Sequence, residues 1–311
     1  MNQNSEAITV LCSHLCVGEN IKPLEPKEWS TLAQQMLDNK LQPADLLNFS
    51  QEDFTRYFNY DSEQTARIQR LIGRSASMSF EVSQYENMGI NIVTRADSTY
   101  PKKLKKRLGN SCPPLFYYAG NLSLLEHDYV GYVGSRNIGD DDTLFTIETV
   151  KKTVSKGFGV VSGGAKGVDS TAEAEALRLG GYAVAFLSDS MKRKIKASDT
   201  ICAIQECRLL LLSAVKPDAG FNAGVAMMRN RYIYAQSSGT VIVKSDYNKG
   251  GTWSGAADNL KHNFCSTFCW NHSGYNGNLA LIKSGAIPID ETWDGDVTAA
   301  KPVITEQMSM F

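Results

Sequence analysis

Three glycine-rich loops carry the residue types from which a ligand site could be built. Each follows a run of apolar residues and precedes a stretch with helical spacing. Glycines let the backbone approach a ligand, and the start of the following helix offers N–H groups that suit phosphate or another anion. The residues concerned are Gly134, Ser135 and Arg136 in the first loop, Ser162, Gly163, Gly164 and Lys166 in the second, and Gly250, Gly251 and Thr252 in the third.

Each loop, taken alone, also has a simpler interpretation as a tight turn between a strand and a helix. The first loop is followed by Asp140, Asp141 and Asp142, acids that would themselves satisfy the dipole of the next helix. In the second loop, Asp169 is expected to cap the following helix, and Lys166 would then be merely exposed. A shared anion site is favoured because loops at the carboxyl ends of parallel strands meet at one edge of a sheet.

A fourth segment supplies basic groups. Arg229 and Arg231 flank Asn230, and such groups grip the phosphate backbone of nucleic acids, whereas unpaired bases stack on aromatic rings. A solvated helix face is the alternative. The candidates for stacking are Tyr232, Tyr234 and Trp253.

Residues 101–108, PKKLKKRL, are also basic. Leu104 and Leu108 stand one helical turn apart, so the segment is predicted to form a short amphipathic helix with both leucines turned inward. A contact with DNA is the alternative.

The elements that must position these loops are read from the apolar runs. Short runs alternate with helical stretches, which is typical of repeated βαβ units and predicts an α/β fold with a doubly wound, mostly parallel, extended Rossmann-like sheet. Helices are predicted near 101–108, 141–156, 169–180, 197–206, 222–235, 252–262 and 277–284. Strands are predicted at 92–94, 115–119, 129–133, 158–161, 182–187, 208–213, 240–244 and 264–269.

The chain is expected to have three parts. Residues 1–80 show apolar positions three and four apart and predict a small all-α domain. Residues 81–290 hold the α/β pattern, and residues 291–311 are polar and aperiodic, which predicts a tail.

Composition excludes several classes. Of the 311 residues 42% are hydrophobic and 21% charged, which is ordinary globular usage, and the net charge of -1 leaves nucleic-acid binding to local basic patches. The first residues lack a signal-peptide pattern and no run of about 18 apolar residues occurs, so we expect a cytoplasmic protein without a membrane span. The seven cysteines are expected to be reduced thiols.

No metal or cofactor is predicted. His262, Cys265, Cys269 and His272 have a zinc-like spacing, but on a strand the two cysteines lie about 13 Å apart and cannot share one ion. None of the four histidines pairs recognisably with a Ser or Cys nucleophile, which leaves a hydrolase triad without support.

Taken in order, five segments resemble the DNA-processing protein A family (DprA/Smf). They are residues 134–136, 162–177, 229–231, 249–256 and 277–289. The resemblance extends over about residues 80–290, including the lead-in at 94–125. Residues 5–75 take the place of the family's sterile-alpha-motif-like domain.

This resemblance implies a protein that binds and protects single-stranded DNA, forms a homodimer and helps to load the RecA recombinase during DNA uptake, natural transformation or recombination, without catalysis. Arg136 is implied to grip a phosphate, with Ser162 to Lys166 and Arg229 to Arg231 in the same pocket. The chain departs from the family pattern at three places: Glu173 stands where His is expected, Lys244 where Glu is expected, and acids occupy positions 140–142.

Two other functions remain open on the same fold. Related Rossmann-like enzymes that cleave nucleotide N-glycosides carry a catalytic Glu in the helix after the glycine loop, whereas this chain has Gly255 three residues beyond Thr252. A sensor of a small nucleotide is the other possibility, because Trp253 and Tyr275 could stack a mononucleotide base as well as a strand.

The chain ends with Gln307, Met308, Ser309, Met310 and Phe311. This segment resembles the pentapeptide by which bacterial DNA-metabolism proteins dock on the replicative sliding clamp. The resemblance implies a partner site at Gln307, Ser309 and Phe311.

Overall fold

The part of the chain that the computed structural model describes, residues 1–18 and 21–298, contains nine strands, thirteen α-helices and three short 3₁₀ helices. The strands are β1 (Asn91–Thr94), β2 (Leu115–Ala119), β3 (Tyr129–Val133), β4 (Gly159–Ser162), β5 (Ala183–Leu187), β6 (Leu209–Ser213), β7 (Gly239–Ile242), β8 (Ser266–Trp270) and β9 (Ile287–Ile289). The helices are α1 (Gln3–Cys12), α2 (Pro26–Asp38), α3 (Gln51–Phe58), α4 (Ser62–Ile72), α5 (Ser75–Glu86), α6 (Lys102–Leu108), α7 (Asp140–Ser155), α8 (Val168–Arg178), α9 (Met191–Lys194), α10 (Ser198–Gln205), α11 (Ala223–Gln236), α12 (Gly250–His262) and α13 (Asn276–Lys283).

The strands form one sheet in the order β1-β2-β6-β5-β4-β3-β7-β8-β9. The pairs from β5 through β4, β3, β7 and β8 to β9 are parallel, and β1 pairs with β2 antiparallel. The predicted α/β fold with a mostly parallel Rossmann-like sheet and an N-terminal helical region is confirmed. All eight predicted strands are present, with ends that differ by at most two residues.

Strand β9 was not predicted. It contains Pro288, which cannot donate a ladder hydrogen bond and is therefore confined to edge positions. In the sheet β9 is the terminal strand and pairs with β8 only, with Ile287 opposite Phe268.

The chain divides into two compact units. The first consists of residues 1–120, 189–195 and 212–220. The second consists of residues 121–188 and 196–211 and of the chain from residue 221 onward. These units do not coincide with the predicted domains, and the domain boundaries at residues 80 and 290 stay a prediction.

In the first unit, α1 to α4 bury one apolar core that includes Leu11, Trp29 and Phe54. Arg74 is buried beneath it and donates to the main-chain carbonyls of Val10 and Leu15, and to that of Ser13 at 2.7 Å. A cation that caps the last carbonyls of a helix stabilises it through both hydrogen bonds and the helix dipole.

In the second unit, apolar strands are buried on both faces, as all five residues of β3 and of β8 are. The ring of Phe145 on α7 stacks on Trp270 of β8 with their centroids 4.1 Å apart. Trp293 and Val297, from the segment with tail-like composition, also pack against this core. Among the described residues, none of the helices has the length and apolar character needed to cross a bilayer.

Candidate functional site

The sheet order places a crevice at the ends of β3 and β7. The chain builds outward from β3 through β4 and β5, then returns to the other side of β3 with β7. In open α/β sheets ligands bind at such a switch point, beyond the carboxyl ends of the strands. A cavity of about 490 Å³ lies there, lined by Val133 and Gly134 after β3 and by Lys244 and Ser245 after β7.

The cavity brings together eight of the thirteen residues predicted to bind DNA or phosphate. They are Gly134, Ser135, Arg136, Arg229, Asn230, Gly250, Gly251 and Thr252. Outside its lining lie Ser162, Gly163, Gly164, Lys166 and Arg231. The first and third glycine loops therefore face one space, together with the start of the RNR segment.

Ser162, Gly163 and Gly164 of the second glycine loop lie outside the cavity lining and are held by hydrogen bonds within the protein. Gly164 donates its N–H to Ser162 Oγ at 3.2 Å, and Gly163 donates its N–H to Asp169 Oδ2 at 3.0 Å. Asp169 lies inside α8, whose N-cap is Gly167, so the prediction that Asp169 is the cap was wrong. Its carboxylate holds the loop instead, while Lys166 is exposed.

Arg229 and Asp169 form a buried ion pair at the cavity wall, with Nη1 and Oδ2 3.6 Å apart. A Cβ on Gly163 would lie 1.1 Å from Arg229 Nη1, so only glycine leaves room for this guanidinium. Burial raises the pKa of Asp169, and the charge of Arg229 opposes that rise. Much of the positive charge of Arg229 is therefore neutralised by Asp169 inside the protein.

Arg231 is engaged on the surface. Its Nε and Nη2 donate to the two carboxylate oxygens of Asp258 at 2.7 and 2.8 Å. This bidentate bond raises the pKa of Arg231. Of the two arginines in the RNR segment, the structure thus turns Arg229 toward the cavity and Arg231 toward α12.

Arg136 lies over an aromatic ring. Its guanidinium carbon is 5.1 Å from the ring centroid of Phe221, within the range of a cation–π interaction. Among the described residues Arg136 forms no ion pair, and the side chain of Phe221 is 59% exposed. Both residues line the cavity, so they present a positive charge and an apolar ring side by side.

Lys244 and Asp142, two of the departures from the pattern of the family that the sequence resembles, form an ion pair with each other. The Nζ of Lys244 lies 2.9 Å from Oδ2 of Asp142, which is 1% exposed, and Tyr275 donates its hydroxyl to the other oxygen at 2.5 Å. Burial alone would raise the pKa of Asp142, but hydrogen bonds from Tyr275, the Gly139 N–H and Lys244 hold it below its ordinary value. The acid beside the first loop is thus neutralised by the lysine at the end of β7.

The start of α12 closes the cavity on the third side. Its first turn carries no acidic residue, and its N-cap Lys249 makes no capping hydrogen bond through its side chain. Asn230 Nδ2 donates to the carbonyl of Gly251 at 3.0 Å and fixes this turn against α11. The N-terminal N–H groups of a helix attract anions, so this end of α12 adds to the positive character of the cavity.

The expected stacking residues are distributed unevenly. Tyr232 and Tyr234 are buried, although Tyr234 reaches the cavity wall, and Tyr275 is engaged with Asp142. Trp253 packs edge-on against Tyr247, which is 58% exposed. The exposed ring in the cavity lining is that of Phe221, which sequence reasoning missed because it is a lone apolar residue outside any periodic pattern.

The cavity lining contains four basic side chains and two acidic ones. Arg229 is paired with Asp169 and Lys244 with Asp142, whereas Arg136 and Lys249 form no ion pair among the described residues. The other acid, Asp246, also forms no ion pair among the described residues, and its backbone bridges to that of Lys249. The two unpaired cations outnumber this one acid, so the unpaired charges in the lining are positive on balance.

Comparison with known proteins identifies the family. The profile of DNA recombination-mediator protein A matches residues 91–296, which is more than half of the chain and includes every cavity-lining residue. The chain belongs to this family. The recombination-mediator profile begins at β1, so the helical region before it lies outside the match.

Curated members of the recombination-mediator family match parts of the chain. Protein Smf of Synechocystis sp. is 30% identical over 130 residues, or 40% of this chain, and DNA processing protein DprA of Bacillus subtilis is 26% identical over 172 residues, or 54% of it. These matches span 32% and 57% of the length of the two relatives.

Two solved structures of recombination-mediator proteins resemble the chain. DprA from Streptococcus pneumoniae has a TM-score of 0.73 and 21% identity, with 96% of this chain and 98% of that one covered. DprA from Helicobacter pylori, whose structure describes a single-stranded DNA binding mode, has a TM-score of 0.52 and 25% identity over 64% of this chain and 90% of that one. The first likeness confirms the fold along nearly the whole chain.

Proposed function

We propose that the protein binds single-stranded DNA in the cavity between the ends of β3 and β7. The observation that carries the proposal is the pairing of Arg136 with Phe221. An unpaired guanidinium suits a phosphate, and an exposed ring beside it suits an unpaired base. A free anion would need only the guanidinium, whereas a base paired within a duplex could not reach the ring of Phe221.

The backbone of the strand would continue across the start of α12. Lys249, the N–H groups of Gly250 and Gly251, and the hydroxyl of Thr252 offer donors there. Family membership supports this assignment, as does the single-stranded DNA binding mode named for the Helicobacter pylori relative.

We propose a binding protein rather than an enzyme. The position at which related glycosidases carry a catalytic acid is Gly255, and a Cβ there would lie 3.1 Å from Asn230 Nδ2 and 3.3 Å from Tyr234. A side chain at this position would fit only if Asn230 or Tyr234 shifted slightly. Among the described residues, no cluster of three or more His, Cys, Asp or Glu side chains could hold a metal ion.

Family membership supports a wider role. We propose a cytoplasmic homodimer that protects single-stranded DNA and helps to load RecA in recombination or DNA uptake. A clamp-docking role for Gln307, Ser309 and Phe311 also stays a prediction, because these residues lie outside the described part of the chain.

The test is fluorescence anisotropy with labelled single- and double-stranded oligonucleotides of about 20 nucleotides, at several salt concentrations, with dTMP as competitor. We expect a salt-sensitive preference for the single strand that millimolar dTMP barely reduces. Equal binding of both DNA forms would contradict the role of Phe221. Displacement by micromolar dTMP would favour the small-nucleotide sensor.

A further inference from the structure

Helix α6 is the most basic element of the first unit. Its sequence, KKLKKRL, holds five cations in seven residues and no acid. Leu104 and Leu108 are buried, which confirms the predicted amphipathic helix. Four of its cations are exposed: Lys102, Lys105, Lys106 and Arg107.

The helix dipole accounts for only some of these cations. Lys102 and Lys103 occupy the first turn, where the helix dipole disfavours positive charge, and Pro101 provides no side-chain cap. Lysines three and four positions apart also repel each other. Lys105, Lys106 and Arg107 lie in the last turn, where the dipole favours positive charge, so the helix accounts for these three cations but not for the two in the first turn.

Ion pairs within the described part of the chain do not account for three of the lysines. Within residues 1–18 and 21–298, Lys102, Lys105 and Lys106 take part in no ion pair. A further cation, Arg95, binds at the end of this segment and donates to the carbonyl of Gly109 at 2.6 Å. The result is a local positive surface on a chain whose net charge is -1.

We propose that α6 is a second DNA-contact surface, which binds the phosphodiester backbone separately from the cavity. The proposal rests on the proposed function only for the choice of DNA as the polyanion. The chemistry favours a backbone over other anionic partners. The two leucines of α6 are buried, so the helix has no apolar face to insert into a membrane. Protein interfaces are depleted in lysine and enriched in aromatic residues, which α6 lacks.

The expected contact is electrostatic and independent of sequence. Seven helical residues span about 10 Å, enough to neutralise about three phosphates. Aromatic residues are absent from α6, so base stacking is not expected there.

The experiment compares the wild type with the triple variant Lys102→Gln, Lys105→Gln and Lys106→Gln. Glutamine keeps the helix propensity and removes the charge. Binding to a labelled oligothymidylate of about 30 nucleotides is measured by anisotropy over a range of salt concentrations. Removing three phosphate contacts should reduce the slope of log K against log salt by about 2 and weaken binding at low salt by about tenfold or more.

A matched triple variant controls for net charge. Lys40→Gln, Lys261→Gln and Lys283→Gln remove three exposed lysines from elsewhere on the surface. This control should keep the wild-type slope and affinity, and circular dichroism should show that both triple variants remain folded.

The outcomes distinguish DNA binding at α6 from DNA binding in the cavity. If the α6 variant behaves like the charge-matched control, the second surface does not exist. If the α6 variant loses affinity while Arg136→Ala does not, the second surface stands and the cavity proposal fails. Loss of binding to phosphatidylglycerol vesicles, with DNA binding intact, would overturn the proposal in favour of a membrane.

Discussion

The guanidinium carbon of Arg136 lies 5.1 Å from the ring centroid of Phe221, and both residues line the cavity. The two residues are 85 positions apart in the chain, and neither has an alternative partner that would explain the arrangement by packing alone: Phe221 is 59% exposed and Arg136 forms no ion pair among the described residues. Charge and ring are therefore available to a ligand together.

The first prediction concerns Phe221. Replacing Phe221 with Ala should weaken binding of a short oligothymidylate by about tenfold, since stacking of one base contributes about 1–3 kcal/mol. The preference for single-stranded over double-stranded DNA should fall in parallel. Phe80→Ala, at a phenylalanine that is 69% exposed on α5, is the control and should bind like the wild type. A Phe221 variant with unchanged strand preference would remove the ring from the site.

The second prediction concerns Gly163. In Gly163→Ala the new methyl group would displace the guanidinium of Arg229 and disturb its pair with Asp169. We expect a loss of about 1–3 kcal/mol in the free energy of unfolding, measured with urea. Gly18→Ala, where a Cβ meets nothing within 4 Å, should leave the stability nearly unchanged. Equal stability of the two variants would mean that Arg229 is not held as described.

The third prediction concerns pH. The pKa of Asp142 is held below its ordinary value, so this carboxylate stabilises the fold above about pH 4 and loses that contribution as the pH falls through its folded pKa. Lys244→Met leaves a buried carboxylate without its ion pair and should cost about 3 kcal/mol near neutral pH. The difference from the wild type should shrink as the pH falls, because without Lys244 the buried carboxyl takes up a proton at a higher pH than it does in the wild type.

A double variant checks the same pair. Asp142→Asn combined with Lys244→Met removes both charges and should be more stable than Lys244→Met alone. Lys283→Met, at an exposed lysine, is the control. A pH-independent cost of Lys244→Met would show that the ion pair is not its cause.

The fourth prediction concerns Arg74. Its guanidinium binds the carbonyl of Val10 in α1 and those of Ser13 and Leu15 just beyond the helix, so Arg74→Met should leave buried acceptors unpaired and cost about 2–4 kcal/mol. Arg70→Met, one turn earlier and exposed, should cost less than about 1 kcal/mol. Urea unfolding of both variants makes the comparison, and equal losses would contradict the capping role.

Much of the fold was accessible from the sequence because buried parallel strands appear as continuous apolar runs. Strands β2 and β3 were predicted with their observed ends. The three-residue strand β9 was missed because an apolar run interrupted by Pro288 gives no periodic signal.

The site was predicted only in part, for a physical reason. A glycine loop after a strand predicts where a ligand can approach the backbone, and the first and third loops do line the cavity. Side-chain partners depend on tertiary contacts, so the sequence did not show that Asp258 takes Arg231 or that Lys244 neutralises Asp142. Phe221 was missed for the same reason, because its value lies in its distance from Arg136.

The most direct measurement compares two arginines that have the same local chemistry. Arg136 lies 5.1 Å from the ring of Phe221, and Arg56 lies 5.3 Å from the ring of Tyr57 on α3. Each is replaced with Ala, and binding to a labelled single strand is followed over a range of salt concentrations. We expect Arg136→Ala to weaken binding to all sequences alike and to lower the salt slope by about 0.7, whereas Arg56→Ala should do neither. Equal affinity and equal slope in the two variants would contradict the assignment of the cavity as the DNA site.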